Sequence, residues 1–209
     1  MIPFGEKVAG YEIPVLNERE IRAAAGILFL ATYTSLMFIL FEGNFIPVKF
    51  VITFFLLDLL IRVLIHPGYA PLMVVGRLIV RNQVPEYVGA AQKRFAWSVG
   101  IVLSATMFYL FIVQNVYGPV TGIICLICLL FLFFEAAFGI CLGCVFYPWI
   151  FRKRVQHCPG EVCAVKDRQR VTGVQVMVLV LFIVGVFLAV YFLEGIYSKK
   201  PHEMFRHGG

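Results

Sequence analysis

Long apolar stretches alternate with short charged ones along this chain, and the lengths of the apolar stretches predict its elements. A hydrocarbon core about 30 Å thick takes about 20 helical residues, which residues 23–41, 45–65, 95–116 and 174–192 each supply. Residues 119–150 exceed one span and carry a single charge, Glu135. They read as a fourth helix whose last turns leave the membrane around Tyr147, Pro148 and Trp149, residue types that suit an interfacial belt. Asn17, with Glu20 three residues on, has the spacing of a capping box just before the apolar run. The first helix is therefore expected to start near Glu18. Pro71 opens a shorter run with Arg77 and Arg81 at i,i+4, too short to span and expected to lie as an amphipathic helix in the head-group layer.

The expected fold is an all-α polytopic membrane bundle: a four-helix core, a fifth carboxyl-terminal transmembrane helix and a short interfacial helix. Its parts are an amino-terminal segment (1–22), the membrane core (23–150) with the interfacial segment (70–82), a basic cysteine-containing loop (151–173), the fifth helix (174–193) and a polar tail (194–209). Residues 1–22 contain Glu6, Lys7, Glu12, Glu18, Arg19, Glu20 and Arg22, without the basic start and apolar run of a secretory signal. No half of the chain maps onto the other, which removes support for a duplicated transporter.

Composition turns this pattern into a class. The 209 residues are 61% hydrophobic and 14% charged, with a mean hydropathy of +0.89. Soluble domains run at roughly 45–50% and 25%. Too little charge remains to solvate a globule, which excludes a water-soluble enzyme and a disordered chain. The net charge of +6 sits in blocks flanking the apolar runs, a placement that points to lipid head groups and not to nucleic acid. With the amino terminus cytoplasmic, that side collects every Lys and Arg except Lys49, Lys199, Lys200 and Arg206, the arrangement the positive-inside rule favours. The carboxyl terminus is then outside.

Ionisable groups at membrane depth carry the first functional signal, because each costs at least about 2.5–3.5 kcal/mol on insertion scales. Asp58 and Arg62 lie at i,i+4, able to pair on one helix face, with Asp58 about 18 Å deep and Glu135 about 24 Å deep in its own span. The three could meet if the second and fourth helices are neighbours. They are candidates for a polar binding cluster or proton relay, or else for a packing ion pair and a helix-bridging carboxyl.

The six cysteines form three pairs. Cys125 and Cys128 lie in aliphatic helix and read as small packing residues. Cys141 and Cys144, on one face of the expected helix and near Arg152, Lys153 and Arg154, are a candidate catalytic thiol pair. Positive charge favours thiolate, although a helix carboxyl end opposes it. Cys158 and Cys163, joined through a Pro159–Gly160 turn and preceded by His157, are a candidate second pair. The four together approach a thiolate metal spacing, but the basic stretch between them repels a cation. No metal or cofactor is therefore assigned. In a reducing cytoplasm a permanent structural disulfide is not expected.

The run Glu135-Ala-Ala-Phe138-Gly139-Ile-Cys141-Leu-Gly143-Cys144, read as E-x-x-F-G-x-C-x-G-C, resembles the signature of a bacterial membrane family catalogued as a domain of unknown function, number forty-three ninety-five. The resemblance extends to Asn17, to Leu57-Asp58-Leu59-Leu60-Ile61-Arg62, to Ala70-Pro71-Leu72 and to Gln92-Lys93-Arg94-Phe95-Ala96, and covers about residues 13–150. It implies a four-helix core with an interfacial segment, a bacterial inner-membrane location, and gene neighbours of thioredoxin-like and sulfurtransferase type. It implies no established activity. The basic loop, second cysteine pair and fifth helix after Ile150 depart from it.

Two functions follow as expectations. In one, Cys141 and Cys144 pass electrons or sulfane sulfur to a cytoplasmic thioredoxin-like or rhodanese-like partner. In the other, the chain is a non-catalytic membrane subunit or scaffold, its charges fixing helix packing. A small-molecule or anion carrier has only the buried charges in its favour.

Overall fold

The computed structural model describes residues 4–9, 11, 13–142, 171–197 and 202–203, and within these the chain is an all-α bundle with two small β pairings. Strand β1 (Val15–Asn17) leads directly into α1 (Glu18–Glu42). Asn17 Oδ1 accepts from the Arg19 backbone N–H at 3.1 Å, and the helix ends at Gly43 in the left-handed region. Helix α2 (Ile46–Leu60) runs on into a π-helical turn, Ile61–Ile65, which Pro67 forbids from continuing. Then come α3 (Pro71–Val80), β2 (Tyr87–Gly89) and α4 (Ala90–Phe108), which also closes in a π-helical turn, Tyr109–Val113. Strand β3 (Val116–Tyr117), α5 (Pro119–Phe138), α6 (Gly173–Tyr197) and β4 (His202–Glu203) complete the order.

Four helical stretches are long and apolar enough to cross a membrane: Glu18–Glu42, Ala90–Val113, Pro119–Phe138 and Gly173–Phe192. Helix α2 has 15 α-helical residues and gains five from its π-helical turn. Around the bundle axis α1 touches α2 and α5, and α4 touches the same two. Helices α2 and α5 therefore face each other diagonally. Helix α3 crosses α1, and α6 lies outside against α2 and α3.

The antiparallel pair β1–β2 sets Val15 opposite Gly89 and Asn17 opposite Tyr87, tying the start of α1 to the start of α4. At the other end β4 joins β3 in parallel. Since Gln175, near the start of α6, donates to the Gly68 carbonyl at 2.8 Å, α6 runs the length of the bundle from the α3 end to the β3 end. The main core of Ile21, Ala24, Leu28, Leu59, Leu72, Trp97 and Leu132 lies toward the α3 end, and a smaller one of Val48, Ile52, Met107 and Phe111 toward the other. Outward faces are strongly apolar: Phe41 is 83% and Phe187 73% exposed, while Asp58 is fully buried.

One expectation needs correction. The fourth helix does not continue to residue 150; it stops at Phe138, because Gly139 takes φ +68 and caps it. The Gly139 and Ile140 N–H groups bond back to the Glu135 and Phe134 carbonyls, both at 3.1 Å, and Arg22 Nη2 donates to the Ala137 carbonyl at 3.1 Å. A left-handed residue with these paired bonds ends a helix, and a cation suits its negative pole. Cys141 thus lies past the end of this helix, and its expected relation to Cys144 falls outside the described residues. The short helix expected after Pro71 is α3, and its two arginines are divided between inside and outside. Arg77 is buried, whereas Leu78 and Ile79 are exposed and Arg81 points out. Close crossing produces this, since a Cβ on Gly76 would lie 2.6 Å from the Glu20 carbonyl oxygen.

Candidate functional site

Three charge assemblies occupy the α3 end of the bundle. The first joins α2 to α3. Asp58 Oδ1 accepts the Leu72 backbone N–H at 2.9 Å, capping α3 from a neighbouring helix, while Oδ2 accepts Arg62 Nε at 2.7 Å. Arg62 Nη2 lies 2.5 Å from the same oxygen, and its guanidinium sits over the Trp97 ring at 5.2 Å. A carboxylate that satisfies both a helix amino end and a guanidinium locks its surroundings.

In the second assembly Lys93 of α4 stands between two carboxylates. Its Nζ is 2.8 Å from Glu18 Oε2 on α1 and 2.8 Å from Glu135 Oε1 on α5. Three helices converge on one ammonium, which two carboxyl groups share. In the third, Arg77 Nε donates to Glu20 Oε1 at 3.0 Å, and Nη2 donates to Glu20 Oε2 at 3.2 Å and to Glu6 Oε1 at 2.7 Å. Burial works against the guanidinium charge most strongly, yet the two carboxylates together raise its pKa above the ordinary arginine value.

The candidate cluster of Asp58, Arg62 and Glu135 is therefore divided. Asp58 and Arg62 pair with each other, whereas Glu135 pairs with Lys93, because α2 and α5 are diagonal and not adjacent. A cavity of about 60 Å³ on the bundle axis reunites part of it, lined by Arg62, Trp97, Cys128, Leu132, Glu135 and Cys141 among others. That volume suits water and not an organic substrate, as each water fills roughly 30 Å³ in the liquid.

Cys141 reaches this cavity because the chain reverses at Gly139. It is disulfide-bonded. Cys125 and Cys128 are free and half-buried on α5, so the sulfur bonded to Cys141 lies outside the described residues. Cys144, Cys158 and Cys163 also lie outside them. Among the described residues no group of three or more His, Cys, Asp or Glu side chains is arranged to hold a metal ion.

Reading the charges by depth missed Lys93, Glu18, Glu20 and Arg77 as site residues. A signal for Lys93 was present: Lys93, Trp97 and Ser104 recur at helical spacing and form the buried face of α4. The signal for Glu20 was masked, because the capping-box spacing already accounted for its carboxylate. Its side chain instead accepts from the Asn17 amide at 3.3 Å and from Arg77.

A family model described as Domain of unknown function (DUF4395) matches residues 16–152. The chain belongs to this family. No curated protein and no solved structure matches the chain. The DUF4395 match takes in β1 through α5, with all three charge assemblies except Glu6, and Cys141. Helix α6 and β4 lie beyond it.

Proposed function

We propose that this DUF4395 protein is a multi-pass protein of a bacterial cytoplasmic membrane, amino end inside, which exchanges thiols and disulfides through Cys141 with a cytoplasmic thioredoxin-like or rhodanese-like partner. Supporting the membrane setting are the spanning-length helices, the apolar outer faces and the basic residues at the α3 end, where Arg19, Arg22, Arg77 and Lys93 gather and Lys49 does not. The observation that carries the chemistry is a disulfide-bonded Cys141 just past a capped helix end, lining a cavity with Arg62 and Glu135. A permanent disulfide does not suit a reducing compartment, so an oxidised sulfur facing the cytoplasm fits one half of a redox cycle. In that cycle a partner dithiol gives two electrons and two protons to the disulfide and leaves as a disulfide. Cys144, Cys158 and Cys163 remain candidates for the remaining sulfurs, and Asp58, Arg62 and Glu135 for the polar wall.

Trapping tests the reading. Membranes carrying the full chain are mixed with a thioredoxin-like protein whose resolving cysteine is replaced by serine. A mixed disulfide at Cys141, identified by mass spectrometry, is the expected product. Its absence, with Cys141 equally unreactive under reducing and oxidising conditions, overturns the proposal.

A second reading is a non-catalytic membrane subunit. The Lys93 ion pairs that join α1, α4 and α5, and the Asp58 hydrogen bond that joins α2 to α3, favour it. It expects Cys141→Ser to leave redox phenotype unchanged while Asp58→Ala lowers the amount of protein in the membrane.

A further inference from the structure

Arg19 and Arg22 lie three residues apart at the start of α1, share one face of the helix and line one cleft. The cleft lies between α1, the end of α5 and the segment that follows α3. It holds about 360 Å³, within the roughly 300–1,000 Å³ of small-ligand sites. Gln83 and Glu86 add polar groups to its lining, and Ala23, Val80 and Ala136 supply the apolar part. Arg19 Nη1 donates to Gln83 Oε1 at 2.9 Å and Nη2 donates to Glu86, which together fix the plane of the guanidinium. Each of these nitrogens carries two hydrogens, so each keeps one for a ligand. Arg22 is held by its bond to the Ala137 carbonyl and packs against Gly139. Both arginines are thus ordered before a ligand arrives, which lowers the cost of binding one.

We infer that this cleft binds the headgroup of an anionic phospholipid of the phosphatidylglycerol kind. The inference rests on the membrane setting above and is independent of the thiol reading. Depth is the first support: the cleft lies where the spanning-length stretch Glu18–Glu42 begins and Pro119–Phe138 ends, the level of the lipid phosphates. Donor type is the second, since the planar fork of a guanidinium matches a pair of phosphate oxygens. Charge is the third. Two guanidiniums and one carboxylate leave a single positive charge, the complement of one phosphodiester. A zwitterionic headgroup would bring its own cation toward both arginines. The glycerol hydroxyls have the Gln83 and Glu86 oxygens to donate to.

The apolar part of the lining continues away from the charges and separates a lipid from a soluble phosphate. On α1 the same face runs from Ala23 through Gly26 to the exposed Leu30 and Tyr33, and on α5 from Ala136 to the exposed Phe133. A Cβ on Gly26 would lie 3.8 Å from the Ala136 Cβ, so small residues bring α1 and α5 together just beneath the cleft. The result is a shallow apolar seam leading out of a charged pocket. Acyl chains joined to a bound phosphate lie along that seam, whereas a free phosphate ester has nothing to place there.

The test is native mass spectrometry of the full chain in mild detergent, titrated with palmitoyl-oleoyl phosphatidylglycerol or with phosphatidylcholine of the same chains. The wild type is expected to bind phosphatidylglycerol about fivefold more tightly, the effect of one net positive charge beside a lipid phosphate. Arg19→Ala is expected to remove that preference, lowering phosphatidylglycerol affinity about fivefold and leaving phosphatidylcholine unchanged. Arg22→Lys, which keeps the charge and loses the fork, is expected to fall between the two. Arg94→Ala removes an exposed arginine outside the cleft and is expected to bind as the wild type does. If melting in the same detergent shows Arg19→Ala to be unfolded, Arg22→Lys decides, and its phosphatidylglycerol affinity must lie below that of Arg94→Ala. Equal binding of the two lipids, or equal losses in the cleft variants and Arg94→Ala, overturns the site. Displacement of phosphatidylglycerol by an equal concentration of glycerol 3-phosphate overturns a lipid as its occupant. Release of the chain from membranes by alkaline carbonate overturns the membrane setting instead.

Discussion

At the α3 end of the bundle Glu18, Glu20, Asp58, Arg62, Arg77 and Lys93 are buried and Glu135 is half-buried; ion pairs join α1 to α3, α4 and α5, and Asp58 ties α2 to α3 by a hydrogen bond. At the opposite end the aromatic rings of Phe45, Phe111 and Tyr117 pack together, with Lys49 Nζ donating to Asn115 Oδ1 at 2.7 Å. Both ends close the same helices, but one uses many-centred charge and the other rings with hydrogen bonds such as that of Lys49 to Asn115. Rings can settle into several packings, whereas a carboxylate shared between a helix amino end and a guanidinium admits few. The difference teaches that the charged end is where this family core is held to one geometry, and Cys141 is attached there.

The largest effect expected from breaking that contrast is Lys93→Ala. It leaves the buried Glu18 and the half-buried Glu135 without their cation and is expected to destabilise the bundle by about 3–5 kcal/mol, measured by denaturant titration of the purified protein in micelles. A loss no greater than that of the opposite-end variant below would remove the distinction between the ends. Gly76→Ala comes next, at about 1–3 kcal/mol, since its new Cβ meets backbone at 2.6 Å and must separate α3 from α1; the same titration checks it. Lys49→Met at the ring-packed end is expected to cost about 1.5 kcal/mol, the low end for a hydrogen bond made by a charged group, because Met keeps the apolar stem. Smallest is Arg19→Ala. Its ion pair with Glu86 is partly exposed, with 35% and 51% of the two side chains accessible, and removing it should shift stability by less than about 1 kcal/mol.

Much of the architecture was legible. The apolar lengths marked the helices, Asn17 marked the start of α1, and the i,i+4 spacing of Asp58 and Arg62 marked a pair that forms at 2.7 Å. Where the reading went astray, the local signal was covered by a stronger one. Apolar residues continue past Gly139, so hydropathy carried the fourth helix onward although the glycine ends it. The short helix after Pro71 forms, but nothing in its own sequence shows that Gly76 lets it press on α1 and turn Arg77 inward. Lys93 was counted among loop charges, since its partners lie on two other helices.

The amino-acid sequence by itself determined the helical class, the four stretches long and apolar enough to cross a membrane and most helix starts, while the expected second span has only 15 α-helical residues. Those depend on hydrophobic length, caps and prolines acting within a few residues. Only the tertiary structure decided that α2 and α5 face each other diagonally, that Lys93 serves both Glu18 and Glu135, and that Cys141 turns back into a cavity beside them. The physical reason is that the order of helices around an axis is set by how their small and large residues interlock. Segments far apart in the chain settle that together, and no single segment carries it in its own periodicity.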